Sequence, residues 1–136
     1  MIIADTSGLL AFFNKREPSH DAVRAVISER EGPLIVSPYV VAELDYLVAT
    51  RLGVAAELAV LAELAGGAYD LAEIDVTALG RCHDVIRRYH DLDVGVADAS
   101  LVVLAHDRRT RTVLTLDHRH FHALRPLEGG RFQLLP

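Results

Sequence analysis

Apolar positions along the chain follow two periods. Ile2-Ile3-Ala4, Leu34-Ile35-Val36 and Thr112-Val113-Leu114-Thr115-Leu116 are short, uncharged runs bounded by turn or charged residues, the pattern of buried strands. Between them apolar residues recur at helical spacing. Leu9 to Phe13 follows the first run directly. Ala22, Val23, Val26 and Ile27 mark a helix from about Ser19 to Arg30, ended by Gly32-Pro33. Ser37-Pro38 combines a good N-cap with proline at the first helical position, predicting a helix that runs to a stop at Gly53. Another helix spans about Val54 to Ala65, before Gly66-Gly67. Tyr69 to Ile74 reads as an edge strand. Thr77 reads as the cap of a helix reaching about Tyr89. A loop from Asp91 to Gly95 leads into a helix near Ala97 to Asp107, and Arg131 to Leu135 reads as the last strand. Strands alternating with helices predict an α/β fold: a mainly parallel sheet, joined by right-handed crossovers and flanked by helices on both faces in three layers.

A chain of 136 residues with 51% hydrophobic content is expected to form one domain over 1–136 with a sizeable core. Apolar runs are too short to span a bilayer. The N-terminus has no basic region followed by a cleavage signal, and Cys82 is the sole cysteine. Together these predict no membrane partner and a reducing, cytoplasmic setting. The formal charge of −5 argues against a dedicated nucleic-acid binder with a basic face. An enzyme that meets RNA through a local patch stays open, because gathered carboxylates lower net charge by themselves.

Four acids change the picture. Asp5 sits where the first strand passes into the first helix, at the sheet edge where α/β proteins bind ligands. It serves there either as an N-cap or as an anchor for a cation. Glu43 lies inside a helix apolar almost all round, with Tyr39, Val40, Tyr46, Leu47 and Thr50 as lateral neighbours, so burial and a partner are expected; a surface glutamate on a frayed face, or one paired with an arginine, is the competing explanation. Asp98 occupies a first helical turn, on one face with Leu101, Val102 and Ala105; dipole stabilisation is the competing explanation. Asp117 follows the strand ending at Leu116 and, like Asp5, could be a cap. Carboxylates on separate elements converging on one edge would repel unless a proton or a cation holds them. Oxygen ligands without cysteine suit Mg²⁺ or Mn²⁺. His118, His120 and His122 suggest zinc, but residues two apart share a face only on a strand, and this stretch reads as a turn or short helix.

Asp5-Thr6-Ser7 after a first strand, Glu43 in Pro38-Tyr-Val-Val-Ala-Glu-Leu44, Asp98-Ala99 at a helix start, and Thr115-Leu116-Asp117 with Phe121 together resemble a PIN domain. The layout of the whole chain resembles the VapC-type toxins of bacterial toxin–antitoxin pairs. The resemblance implies a Mg²⁺- or Mn²⁺-dependent endoribonuclease that cuts tRNA or ribosomal RNA, is silenced by a VapB-type antitoxin, and forms a homodimer. On this reading Asp5, Asp98 and Asp117 hold metal, and Glu43 ligates or orients the attacking water. Thr6 and Thr115 are candidates for hydrogen bonds to a carboxylate, although a cap and an ordinary strand residue explain them equally well. Lys15, Arg16 and Arg119 are candidates to grip RNA, as the basic residues nearest the acids, whereas Arg108, Arg109 and Arg111 read as a solvated helix terminus. The helix pair over 40–65 carries more apolar surface than one sheet face needs, which marks it as the expected homodimer interface.

Rivals are weaker. A receiver-type phosphoacceptor domain needs a strand-end lysine, and Lys15 is misplaced for it. A haloacid-dehalogenase-like phosphatase wants aspartate where Ser7 stands. A non-catalytic RNA-binding or scaffold PIN domain would have little use for all four acids. A housekeeping RNA-processing nuclease would lack an antitoxin.

Overall fold

The computed structural model describes residues 1–136. In chain order the elements are β1 (Ile2–Ala4), α1 (Thr6–Phe13), α2 (His20–Glu29), β2 (Leu34–Val36), α3 (Pro38–Leu52), α4 (Val54–Ala65), β3 (Tyr69–Leu71), α5 (Val76–Arg88), a 3-10 turn (His90–Leu92), α6 (Val96–Asp107), β4 (Thr112–Leu114), α7 (His118–Ala123) and β5 (Gln133–Leu135). The strands form one all-parallel sheet in the order β3-β2-β1-β4-β5. From β1 the chain steps through β2 to β3, then crosses back to β4 and on to β5. Right-handed crossovers in opposite directions place α1 to α4 on one face and α5 to α7 on the other. The order reverses between β1 and β4, which opens a crevice at the carboxyl ends of those two strands.

The buried strands β1, β2 and β4 supply Ile3, Ala4, Leu34, Ile35, Val36, Val113 and Leu114 to the core. Helix α6 is buried from Ala99 through Ala105, so it is a central layer element rather than a surface one. Gly8 allows the closest approach. A Cβ there would stand 2.7 Å from the Leu114 carbonyl oxygen, so α1 rests directly on the end of β4. The Asp5 N–H donates to the same oxygen at 2.9 Å.

Three local expectations are corrected. The cap of α5 is Asp75, whose side chain accepts from the Ala78 N–H at 2.8 Å; a carboxylate here takes the position expected of Thr77. Strand β3 stops at Leu71, because its pairing with β2 ends there. Helix α3 buries one stripe, Val40, Leu44 and Val48, while Glu43 and Tyr46 lie at the surface. Its apolar residues therefore exceed what the core covers, and Glu43 is not the buried acid that composition implied.

Candidate active site

Asp5 occupies the N-cap position of α1 but makes no capping bond. Its Oδ2 accepts instead from Ser7 Oγ at 2.7 Å and Thr115 Oγ1 at 2.8 Å, in a setting only 7% exposed. Ser7 Oγ in turn accepts from the Leu116 N–H at 2.9 Å, and Thr115 Oγ1 from the Asp117 N–H at 3.0 Å. Two serine and threonine hydroxyls thus fasten the β1–α1 turn to the segment leaving β4, across the crevice. Thr115 makes the carboxylate contact expected of it. Thr6 does not: its Oγ1 is buried and has no partner.

Glu43 comes from α3 and Asp98 from α6. Ser37 caps α3, and its hydroxyl meets Ser100 Oγ at 2.7 Å in the interior. Ser100 also donates to the Ala97 carbonyl at 2.6 Å. This buried bond ties the start of the helix carrying Glu43 to the first turns of the helix carrying Asp98. Burial pushes the Asp98 carboxyl above the usual carboxylate range, and the charges of Asp5 and Glu43 push it further; His120 and the Gly95 backbone oppose them. Asp5 and Glu43, from two other elements, therefore both bear on Asp98.

Asp117 stands at the same edge but plays the cap that the alternative reading described: its Oδ1 accepts from the His120 N–H at 3.1 Å. It lines a cavity of about 320 Å³ with Asp91, Asp93, Arg119 and His120. His120 Nε2 donates to Asp98 Oδ2 at 3.1 Å, while His118 Nε2 donates to the Thr115 carbonyl at 3.1 Å. No three acidic or imidazole side chains close into a ready ligand cage. Of the basic candidates, Arg119 shares the cavity of Asp117. Lys15 and Arg16 lie beyond the far end of α1, which at 1.5 Å per residue is roughly 12 Å from Asp5. Lys15 lines a different cavity, between α1, α2 and α4.

Residues 2–125 match the PIN domain family model. Across 99% of the chain and 100% of the relative, the sequence is 57% identical to ribonuclease VapC26 of Mycobacterium tuberculosis. The chain belongs to the VapC branch of the PIN-domain family. Solved PIN-type structures share its fold. The Mycobacterium tuberculosis VapC20 toxin, described as cleaving the sarcin–ricin loop, superposes with a TM-score of 0.86 at 17% identity over 100% of both chains. VapBC2 from Rickettsia felis bound to promoter DNA gives a TM-score of 0.71 at 15% identity, again over 100% of both chains. A toxin–antitoxin complex from Klebsiella pneumoniae gives 0.68 at 14% identity, over 91% of this chain and 92% of that one.

The donor set of this PIN domain fits a hard divalent cation. Asp5, Asp117 and Asp98 are linked through Thr115 and His120, Cys82 is buried in α5, and Thr6 leaves an unpartnered hydroxyl next in sequence to Asp5. Two contributors escaped the sequence reading. Ser7 was readable as a hydroxyl two residues after an acid, a spacing that favours a local side-chain bond. His120 sits three residues after a capping aspartate, where a helical side chain leans back toward the helix start.

Proposed function

We propose that this VapC protein is a Mg²⁺- or Mn²⁺-dependent endoribonuclease toxin that cuts structured cellular RNA, tRNA or ribosomal RNA, and is neutralised by a VapB-type antitoxin. The observation that carries this reading is the cluster at the sheet's topological switch point in which Thr115 contacts both Asp5 and Asp117, and His120 contacts both Asp117 and Asp98. Asp5, Asp98 and Asp117 would hold the cation. A divalent cation there supplies Lewis-acid relief of the charge that builds on a phosphodiester under attack.

The protein's own groups do the rest. Glu43, exposed on α3, orients and deprotonates the attacking water. Ser7 and Thr115 fix the Asp5 rotamer, and Thr6 has a free hydroxyl for a further bond. Arg119 reaches a substrate phosphate from the cavity of Asp117, with Lys15 and Arg16 more distant contributors.

Two surfaces support the partners. On α4, Val54, Leu58 and Leu61 are exposed together with Tyr46 of α3 and extend beyond the core, which suits a homodimer through residues 40–65. The opposite side of α4 contributes Ala56, Ala59 and Glu63 to a cavity of about 530 Å³ shared with Phe12, Phe13 and the basic Lys15 and Arg24. An antitoxin segment with apolar side chains and a carboxylate fits it, and the two faces of α4 can be occupied at once. An arginine from that segment would meet the acid site.

The test is incubation of purified protein with total RNA, followed by sequencing of the new ends. Cleavage should need Mg²⁺ or Mn²⁺, stop with chelator, and vanish in Asp5→Asn. RNA that is bound but intact under every metal condition would instead make this a binding domain. A co-expressed antitoxin should protect cells, and a housekeeping nuclease would leave growth unaffected without one.

A further inference from the structure

His120 touches two of the four acids at once. Its ring donates from Nε2 to Asp98 Oδ2 at 3.1 Å, and its backbone N–H donates to Asp117 Oδ1 at 3.1 Å. The Asp117 N–H then donates to Thr115 Oγ1, and Thr115 Oγ1 donates to Asp5 Oδ2. A continuous path of hydrogen bonds therefore runs from Asp98 on α6, through α7, to Asp5 at the end of β1. The two end links, His120 to Asp98 and Thr115 to Asp5, join separate elements, and the two middle links are local to the segment from Thr115 to His120.

The ring is held where it can do this. The His120 side chain is 19% exposed and stands edge-on to Phe121, with centroids 5.9 Å apart. Phe121 is buried and packs edge-on against Phe132. Helix α7 has only six residues, too few to be stable alone. Its position is set by Phe121 and Leu124 in the core and by the Asp117 cap. His120 passes that position on to Asp98. It takes one carboxylate oxygen, Oδ2, and leaves Oδ1 for another partner. A carboxylate on an open helix start would otherwise sample several rotamers, and a cation would have to order it on binding.

We infer that His120 is a positioning residue: its Nε2–H sets the Asp98 carboxylate and couples it to Asp117, so that the site meets its divalent cation already arranged. The inference rests on the metal-dependent reading above. It concerns where the N–H is held, and an uncharged amide at the same place should serve.

The test is Mg²⁺ and Mn²⁺ binding, read by calorimetry and by the metal-induced rise in melting temperature, for wild type, Asp98→Asn, His120→Leu and His120→Gln. Leucine keeps apolar bulk against Phe121 without a donor; glutamine returns an N–H near Nε2. His120→Leu should weaken metal affinity by about 10-fold or more, the range for groups that orient ligands. His120→Gln should recover most of it. No metal binding by wild type would overturn the metal reading itself. Wild-type binding lost in Asp98→Asn but unchanged in His120→Leu would overturn the role of His120 alone. Equal losses in the Leu and Gln variants would also overturn it, because ring shape rather than the N–H would then matter. Should His120→Leu not fold, the comparison passes to His120→Gln against His120→Asn, whose shorter amide stops short of Asp98. Equal affinities in those two would overturn the inference.

Discussion

At the amino-terminal side of the sheet, charges meet in pairs of opposite sign. Arg108 at the end of α6 makes a two-pronged pair with Asp70 of β3. Arg81 of α5 reaches Asp107, and Glu128 takes both His106 and Arg111. At the carboxyl side, Asp98 bears the like charges of Asp5 and Glu43, and the His120 imidazole faces it at 3.1 Å. The same α6 spans both situations, with Asp98 in its first turn and Arg108 at its end. One pole is arranged as a protein arranges charge for stability. The other sets like charge around Asp98, an arrangement that costs stability and suits the site proposed above. Where paired charges are removed, the fold should suffer and the chemistry should not; where like charges are removed, the reverse should hold.

The largest effect should come at the carboxyl pole. Asp5→Asn, Asp98→Asn and Asp117→Asn should each lower metal-dependent RNA cleavage by at least about 100-fold, at or beyond the upper end of losses seen for outer partners of a metal site. Circular dichroism should show each variant folded. Full activity in two of the three would remove the acid site. Glu43→Gln should also fail at saturating metal; recovery at high metal would make Glu43 a ligand rather than a group that orients water.

Gly8→Ala should come next, because it strikes the contact that joins the pole to the sheet. The added methyl meets the Leu114 carbonyl and side chain at under 3 Å, so α1 must lift from β4. Overpacking of this kind costs about 1 to 3 kcal/mol, seen as a melting temperature lower by roughly 4 to 12 °C in a domain this size. Cleavage should fall as well, since α1 begins at Asp5. At the opposite pole Arg108→Ala should cost about 1 to 2 kcal/mol, between the values for exposed and buried pairs. Cleavage per folded molecule should stay at the wild-type level. A large loss of cleavage in Arg108→Ala would dissolve the contrast between the poles.

Much of this contrast was legible in the residues, and the exceptions have physical causes. The alternation of short apolar runs with helical periods showed the parallel sheet, because β1, β2 and β4 are buried on both faces and need no polar side. Asp5 and Asp117 shared the same two explanations, cap or anchor, with the cap the simpler one for each taken alone. The structure separates them: Asp117 caps and Asp5 does not, since Ser7 and Thr115 draw its carboxylate away from the helix amides. Ser7 acts from two residues away, but Thr115 acts across a long sequence separation, which periodicity does not report. Glu43 was expected inside because α3 is apolar on nearly every side. A helix of that composition is buried only when something covers each face, and the face of Tyr46 has no cover within the chain. The pairing of Arg108 with Asp70 was hidden for the same reason as His120 with Asp98: each joins elements far apart in sequence.

The smallest expected effect is also the one that distinguishes the poles by sign. Burial and the charges of Asp5 and Glu43 raise the Asp98 carboxyl. The folded chain then holds that proton more tightly than the unfolded chain does. The resulting stability is present below the unfolded value of about 3.9 and is lost as pH rises through the raised folded value. Glu128 behaves oppositely, because the hydrogen bond from His106 lowers it. Its stability is present above the unfolded value of about 4.3 and is lost as pH falls through the lowered one. In metal-free protein Asp98→Asn should therefore melt above wild type at pH 7, and the gap should close as pH falls toward 4. Glu128→Gln should melt slightly below wild type at pH 7, and that gap should close only at lower pH. Adding Mg²⁺ should raise the wild-type melting temperature, because a ligand that binds the folded state alone stabilises it, and should raise Asp98→Asn much less. The measurement is a set of melting curves from pH 4 to 8, with chelator and with Mg²⁺. If Asp98→Asn melts lower without metal and keeps the full Mg²⁺ response, Asp98 serves the dipole of α6, and the two poles of the sheet are built on the same principle after all.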